Sequence, residues 1–264
     1  MFQEVKMEKV INLGIPHIGE KILAKIDTDD LIQCLDVSEV WKIFAENVLL
    51  KRWSGNIKEA FIIGKTEIVK ILLQQNGSKT ELNTTDVNGR TVFMLTCIKG
   101  HKNVAKLLID HSVELNTKAN NGLTAFDYAC RGKKTEVVKL LLDYSAMKQI
   151  ELNHKENLHG RTAFVSACEN GDKDVVKILL DYSGSNQIDF NASDHFERTA
   201  FMLACCTGHK DVVNLLLDYS ASKKIDLEAR SDNGWTASKW ASMSGQKEVF
   251  ELLTTARQKQ LNEG

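Results

Sequence analysis

Two short amphipathic helices, separated by a tight turn, recur along most of the chain. The clearest copy spans residues 197–217, where Phe201, Ala204 and Cys205 fall at positions i, i+3 and i+4 and form one apolar stripe. Gly208 follows at a position that suits a left-handed helix end, and a second apolar stripe begins four residues later. A pair this short cannot bury both stripes alone, so the pattern predicts a stack of such pairs.

The copies lie in register along the sequence. A threonine opens the first helix of five units, at spacings of 33, 38, 37 and 37 residues: Thr91, Thr124, Thr162, Thr199 and Thr236. A valine or isoleucine followed by a leucine pair marks six second helices, so a degenerate unit without the threonine precedes the other five. The predicted repeats, numbered 1 to 6 below, are residues 54–85, 86–118, 119–156, 157–193, 194–230 and 231–258, and residues 259–264 form a polar tail.

The segment before the repeats has a different pattern. We expect residues 1–11 to form a flexible tail and residues 12–53 to form a separate unit of three short helices. Asp29 or Asp30 is placed to cap the second of these helices, and Ser38 is placed to cap the third. Three short helices provide only a small core for an independent domain.

Composition narrows the classes of partner. The net charge of −1 gives no general attraction to nucleic acid or to an anionic membrane, so neither is an expected partner. No apolar run approaches the roughly 20 residues of a membrane-spanning helix. The first residues also lack the apolar core of a secretory signal. These features favour the cytoplasm or the nucleus.

The cysteines and the motif content argue against catalysis. Four of the six cysteines occupy one slot, six residues after the threonine: Cys97, Cys130, Cys168 and Cys205. Stacked helices lie about 8–10 Å apart, which is too far for direct disulfides or a shared metal, so we expect small buried core residues. The sequence contains no phosphate-binding loop, dinucleotide-binding motif, zinc-protease motif or C-x-x-C pair. We therefore predict neither an enzyme nor a cofactor or metal site.

The period, the G-x-T opening, the Gly-His turn and the V-V-x-x-L-L helix resemble ankyrin repeats. The resemblance implies an all-α fold: a helix-pair solenoid with short hairpin loops that binds proteins on its loop tips and first helices. The Thr-Pro-Leu-His helix start usual in that family is altered throughout, and the histidine slot holds Met94, Asp127, Val165, Met202 and Lys239. We therefore expect somewhat less rigid helix starts.

Carried over from the resemblance, the hairpin tips and first helices supply the predicted substrate-binding residues. These are Arg90, Leu123, His159, Arg161, Glu169, His195, Phe196, Arg198 and Trp235. Phe196 and Trp235 are the best anchors, because large aromatic side chains at exposed tips often dominate binding energy. Glu197 replaces the glycine found at that corner of the other tips, which predicts a tip of different shape.

Three units carry four extra residues after the second helix, directly behind an Asp-Tyr pair. The insertion either extends this helix or loosens the outer loop, and we expect an isoleucine in each to pack back onto the helix pair: Ile150, Ile188 and Ile225. The aligned tyrosines either form a binding ladder or close the end of the helix: Tyr144, Tyr182 and Tyr219.

The N-terminal segment resembles an F-box. The matching residues are Ile15-Pro16, Ile22-Leu23, Ile26, Asp30-Leu31, Val37-Ser38 and Trp41. The stretch between Pro16 and Ile22 is one residue short, and Ser38 replaces the common cysteine. The resemblance implies docking to a Skp-type adaptor of a cullin ubiquitin ligase through Pro16, Ile22, Leu23, Leu31, Val37 and Trp41.

Together, the two resemblances imply a substrate receptor of an SCF-type ubiquitin ligase, whose repeats hold a protein substrate. The alternative is an ankyrin scaffold or adaptor whose N-terminal helices only cap the repeats. That alternative predicts that Leu31, Val37 and Trp41 are buried against the first repeat.

Overall fold

The computed structural model describes residues 24–36, 39–53, 57–75, 82–182 and 187–263, and the regular secondary structure of these residues is helical. The chain divides into two compact units. The first contains residues before Leu82 together with Asp110–Ser112, and the second contains Leu82–Ile109 and the residues from Val113 onwards. No helix in the described ranges combines the length and the apolar character needed to cross a membrane.

The helix bounds follow the predicted repeats. The first unit contains α1 (Thr28–Cys34), α2 (Glu39–Trp53), α3 (Ile57–Ile63) and α4 (Thr66–Gln75). The later helices are α5 (Val92–Lys99), α6 (Lys102–Asp110), α7 (Ala125–Arg131), α8 (Thr135–Lys148), α9 (Ala163–Glu169), α10 (Lys173–Asp181), α11 (Ala200–Thr207), α12 (Lys210–Lys223), α13 (Ala237–Met243) and α14 (Lys247–Glu263). The last helix thus continues beyond residue 258, where the predicted repeats end.

The recurring threonines cap the first helices. In four repeats the threonine Oγ1 accepts a hydrogen bond from the backbone N–H three residues later, at 3.2–3.4 Å: Thr91, Thr124, Thr162 and Thr199. At Thr124 the carboxylate of Asp127 closes a capping box by accepting from the threonine N–H at 2.9 Å. These helix starts are therefore capped without the family's histidine.

The turns after the first helices use the left-handed conformation. Gly100 and Gly208 adopt φ of +84° and +81°, which confirms the predicted role of Gly208. In repeat 3 the same place, nine residues after the threonine, is taken by Lys133 at φ +54°. In repeats 3 and 5 the insertion lengthens the second helix: α8 and α12 have 14 residues, whereas α6, in repeat 2 without an insertion, has nine. The second helix of repeat 4, α10, also has nine residues.

The helices of the second unit form two layers. One layer is built by the successive first helices α5, α7, α9, α11 and α13, and the other by α8, α10, α12 and α14. A phenylalanine from each of the first four helices of the first layer lies in the core: Phe93, Phe126, Phe164 and Phe201. The aligned cysteines are buried beside them, and burial raises the pKa of the Cys97 and Cys205 thiols far above its ordinary value. These protonated thiols act as small apolar packing groups, as predicted.

The outer edge is held by repeated side-chain bridges. The side-chain Nδ2 of Asn153 donates to the Gln187 carbonyl at 2.7 Å, while its Oδ1 accepts from the Asp189 N–H at 2.8 Å. Asn116 and Asn191 make the same pair of bonds to the repeats that follow them. The isoleucines of the insertions, Ile150, Ile188 and Ile225, are buried nearby as expected.

Two of the aligned tyrosines also join neighbouring repeats. The hydroxyl of Tyr182 lies 2.8 Å from Ser145 Oγ on α8, and the hydroxyl of Tyr219 donates to the carboxylate of Asp181. Both hydroxyls are thus engaged within the protein, which favours the helix-closing interpretation over the binding ladder for these two residues.

In the first unit, α1 packs on α2, and α2 and α3 pack on α4. Asp27 caps α1 by accepting from the N–H groups of Asp29 and Asp30 at 3.0 and 2.9 Å, so the prediction that Asp29 or Asp30 is the cap is wrong. The cap lies earlier because an aspartate binds N–H groups two and three residues after itself. Ser38 lies outside the described residues.

Candidate protein-interaction surface

An aspartate shapes the tips of repeats 2 and 5, and it is buried in repeat 5. Asp194 Oδ1 accepts from the N–H groups of Phe196 and Arg198, each at 2.9 Å, and its Oδ2 accepts from Arg198 Nε at 2.9 Å. Asp86 and Arg90 form the same clasp in repeat 2. Burial opposes ionisation of Asp194, but the bonds from Arg198 and Phe196 outweigh it and hold the pKa of this carboxyl below its ordinary value.

The tip that carries Glu197 has the same turn as the glycine tips. Glu197 adopts φ +56°, in the left-handed region where the glycines Gly89, Gly122 and Gly234 also lie. Its N–H donates to the Asp194 carbonyl at 3.1 Å, as the N–H of Gly89 does to the equivalent carbonyl at 2.9 Å. The expectation of a different tip shape is therefore wrong, because the surrounding clasp imposes the turn on a non-glycine residue.

Repeat 4 connects its tip to its own first helix and to the next repeat. Arg161 Nη1 lies 2.7 Å from Glu169 Oε2, and Arg161 Nε lies 3.8 Å from Asp194 Oδ2. The Arg161 side chain is only 12% exposed. Arg161 and Glu169, both predicted as binding residues, thus form an ion pair with each other. This ion pair shows that the end of α9 adjoins the tip of the same repeat. His159, half-buried, accepts through its carbonyl from the His195 N–H at 2.8 Å.

Two predicted contact residues are buried and need correction. Leu123 is 4% exposed, since an apolar side chain at the arginine position of the tip is stabilised by leaving water. Leu31 is fully buried in the first unit, so it contributes to the core there and its side chain is not available to an adaptor. Pro16, Ile22, Leu23 and Val37 lie outside the described residues, as does the side chain of Trp41 on α2.

An aromatic platform surrounds Arg198. The guanidinium carbon lies 5.0 Å from the centre of the Phe196 ring and 5.6 Å from that of Trp240. Trp235 packs edge-to-face on Trp240 with ring centres 4.9 Å apart. Since Asp194 fixes Arg198, the three aromatic rings are held in place before any partner arrives.

The platform remains open to solvent. Phe196 is 49% exposed and Trp235 is half-buried, while His195 beside them is exposed. Trp240, on α13, was not predicted as part of the site, although its spacing of five residues from Trp235 was a usable signal. Its Nε1 donates to Ser231 Oγ at 3.1 Å, so its orientation depends on a hydrogen bond that the sequence does not indicate.

Backbone bonds join neighbouring tips into a row. The Asn120 N–H donates to the Asn88 carbonyl at 3.0 Å, and the Asp232 N–H donates to the Phe196 carbonyl at 3.2 Å. The structure therefore groups Phe196, Arg198 and Trp235 in one place, while Arg90 lies at the other end of the row, three repeats away. The described residues contain no group of three or more histidine, cysteine or acidic side chains arranged to hold a metal ion.

Comparison with known proteins agrees with this architecture. The family model described as ankyrin repeats (3 copies) matches residues 58–155, 120–194, 146–226 and 185–263. No curated protein matches the chain. The crystal structure of EF0377, an ankyrin repeat protein, is 26% identical with a TM-score of 0.65, and the match covers 76% of this chain and 96% of that chain.

A second solved structure shows the fold alone. A chain from the complex of the Bd0816 predatory endopeptidase from Bdellovibrio bacteriovorus with immunity protein Bd3460 is 24% identical, with a TM-score of 0.61. The match covers 75% of this chain and 96% of that chain. With the family model spanning all but the first part of the sequence, the chain belongs to the ankyrin-repeat proteins, a family of protein-interaction modules.

Proposed function

We propose that the repeats bind a protein partner along the row of tips, with the platform of Phe196, Trp235 and Trp240 as the main anchor. The observation that carries this proposal is the fixed position of Arg198 between two aromatic rings. A preorganised aromatic surface loses little side-chain entropy on binding, so each contact contributes more to affinity.

Peptide selection tests this half of the proposal. The full chain is screened against a displayed library of random 12-residue peptides, and the affinities of selected peptides are measured by calorimetry. Phe196→Ala and Trp235→Ala each weaken binding by tenfold or more, because anchor residues contribute about 2 kcal/mol or more. Phe250→Ala, which removes a 42% exposed aromatic side chain from α14, leaves binding unchanged. Equal affinity for wild type and both tip variants would overturn the proposal.

We further propose that residues 12–53 dock a Skp-type adaptor, which makes the chain a substrate receptor of an SCF-type ubiquitin ligase. The support is the F-box-like spacing that ends at Val37 and Trp41. Because Leu31 is buried, it belongs to the core of the first unit and not to the docking surface. The alternative, a cap on the repeats, is supported by the packing of α2 on α4, the second helix of repeat 1.

Calorimetry with a purified Skp-type adaptor separates the two interpretations. We expect the full chain to bind the adaptor and Val37→Asp to abolish binding, because a carboxylate in an apolar interface is left without a partner. Ile63→Asp changes a 44% exposed isoleucine on α3, outside the predicted segment, and serves as the matched control. A folded wild-type chain that fails to bind the adaptor would refute the receptor function and leave the scaffold alternative, whatever the peptide selection shows.

A further inference from the structure

The turns between the two helices of repeats 2 and 3 are strongly basic. They read Ile-Lys-Gly-His-Lys at 98–102 and Arg-Gly-Lys-Lys-Thr at 131–135, whereas the same five positions of repeats 4 to 6 (169–173, 206–210 and 243–247) each contain one lysine and no arginine. Positive charge is therefore concentrated at one end of the second unit, in a chain whose net charge is only −1.

Three of these cations make no ion pair with a described residue. Lys102 pairs with Glu136 at 2.9 Å, and Lys133 pairs with the buried carboxylate of Asp172. The remaining side chains are those of Lys99, Arg131 and Lys134, called the basic turn surface below. Lys99 and Arg131 are exposed, and Lys134 is half-buried.

The position of this surface is fixed by packing between repeats. The aliphatic chain of Lys134 crosses Gly100, where a Cβ atom would come within 2.9 Å of its Cδ. Lys134 thereby lies against Gly100, the residue that follows Lys99 in the chain. Arg131 Nη2 donates to Ser166 Oγ of the next repeat at 3.3 Å, so its guanidinium is also oriented.

Two acidic side chains lie near Arg131, and neither forms an ion pair with it. Asp127 and Glu156 both interact electrostatically with Arg131, but both are buried and their carboxylates accept hydrogen bonds in their own turns. Lys133 holds a left-handed position at which the other four turns have glycine, and its charge is paired with Asp172.

Arg131 places one edge of the basic turn surface near the row of tips. Arg131 occupies the slot that Glu169 occupies in repeat 4, and Glu169 is in direct contact with the tip residue Arg161 at 2.7 Å. A partner that lies along the tips therefore also passes this surface. Phe196 is two repeats further on, about 16–20 Å at the usual spacing of packed helices.

We propose that the basic turn surface binds an acidic segment of the protein partner, an inference that rests on the proposed function of the repeats. Arg131 offers a planar donor pair that fits a carboxylate, and Lys99 and Lys134 add two charges beside it. An extended chain advances about 3.3 Å per residue, so about five or six residues separate the acidic group from the apolar side chain that binds the Phe196 platform.

The same peptide selection, repeated at low and at moderate salt, tests this inference. Peptides selected on the full chain are enriched in aspartate and glutamate at one end and in apolar residues at the other. The triple variant Lys99→Gln, Arg131→Gln and Lys134→Gln binds them at least tenfold more weakly and loses most of the salt dependence. Lys133 is left unchanged so that Asp172 keeps its partner.

A second triple variant controls for net charge. Lys106→Gln, Lys139→Gln and Lys177→Gln remove three exposed cations from second helices and leave peptide affinity unchanged. Selected peptides that depend on Phe196 but carry no acidic residues, or that bind both triple variants equally, would contradict this inference and leave the proposed function standing. If no peptide is selected, both this inference and the proposed function of the repeats fail. Tight binding of single-stranded 20-nucleotide DNA that requires the same three cations would identify nucleic acid as the ligand instead.

Discussion

Glu197 is one of five non-glycine residues in the described part of the chain whose backbone adopts a positive φ. It holds φ +56° at a corner where other tips have glycine, and a left-handed non-glycine residue costs about 1–2 kcal/mol. We expect Glu197→Gly to raise the free energy of unfolding by up to about 1 kcal/mol, since the extra freedom of glycine in the unfolded chain offsets part of the gain. Urea unfolding followed by circular dichroism measures the change.

Gly234 provides the reverse experiment at the equivalent corner of repeat 6. It adopts φ +75°, and a Cβ atom placed on it would meet no atom within 4 Å. Gly234→Ala therefore introduces backbone strain without a clash and lowers the free energy of unfolding by about 1 kcal/mol or more. If both substitutions shift the urea midpoint in the same direction, strain is not the cause.

Asp194 makes the stability of its repeat depend on pH. Its pKa is lower in the folded than in the unfolded chain, so its contribution is complete above the ordinary value of about 3.9 and is lost as the pH falls through the folded-state value. Asp194→Asn lowers the free energy of unfolding at pH 7 by about 1–3 kcal/mol, and this difference from wild type shrinks as the pH falls through the folded-state pKa of Asp194. Asp211→Asn, at an exposed position on α12, has an effect within about 0.5 kcal/mol at either pH.

The sequence predicted which residues occupy the tips but not how they pair. Phe196 and Trp235 were predicted as tip anchors, and the structure brings both to the platform around Arg198 and Trp240. The pairing of Arg161 with Glu169 and the burial of Leu123 depend on which side chains face each other once the repeats stack. Arg161 and Glu169 belong to one repeat but lie eight residues apart, and such contacts are set by tertiary packing, which a single sequence does not specify.

At the scale of the helix pair, the asparagine bridges connect each outer loop to the next. Asn153→Ala removes one donor and one acceptor and leaves the Gln187 carbonyl and the Asp189 N–H without these partners. We expect the free energy of unfolding to fall by about 1–3 kcal/mol. Asn153→Asp keeps an acceptor but loses the donor, so its free energy of unfolding should lie between those of Asn153→Ala and wild type.

Glu228 is the matched control for this bridge. It occupies the asparagine slot of repeat 5 and is exposed, so Glu228→Ala should change the free energy of unfolding by no more than about 0.5 kcal/mol. An equal loss in Asn153→Ala and Glu228→Ala would show that the bridge has no special contribution to stability.

Helix starts and ends were predictable because their causes are local. A threonine cap and a left-handed glycine each act within one turn of helix, so Thr199 and Gly208 could be assigned from the sequence alone. The asparagine bridges were missed although the pattern of an acidic residue, an apolar residue and asparagine recurs at 81–83, 114–116, 151–153 and 189–191. Their partners lie in the next repeat, where sequence spacing gives no contact.

At the scale of the second unit, stability arises from interfaces between neighbouring helix pairs. An interior pair has two such interfaces, whereas the last pair has one. The loss of stability caused by a core substitution should therefore depend on the position of the affected repeat in the array as well as on the residue that is replaced. Val175 on α10 and Val249 on α14 occupy the same slot of their repeats, and each is 1% exposed.

Replacing each of these valines by alanine isolates the effect of position. Both changes remove two methyl groups from an equally buried site, at a cost of about 2–3 kcal/mol. We expect Val175→Ala to lower the urea midpoint of the whole second unit, because α10 packs on both α8 and α12. Val249→Ala should mainly accelerate amide hydrogen exchange within α14, since the last repeat can unfold while the others remain intact. Equal midpoint shifts and equal exchange in the two variants would show that the unit unfolds as a single cooperative block, without a weaker end.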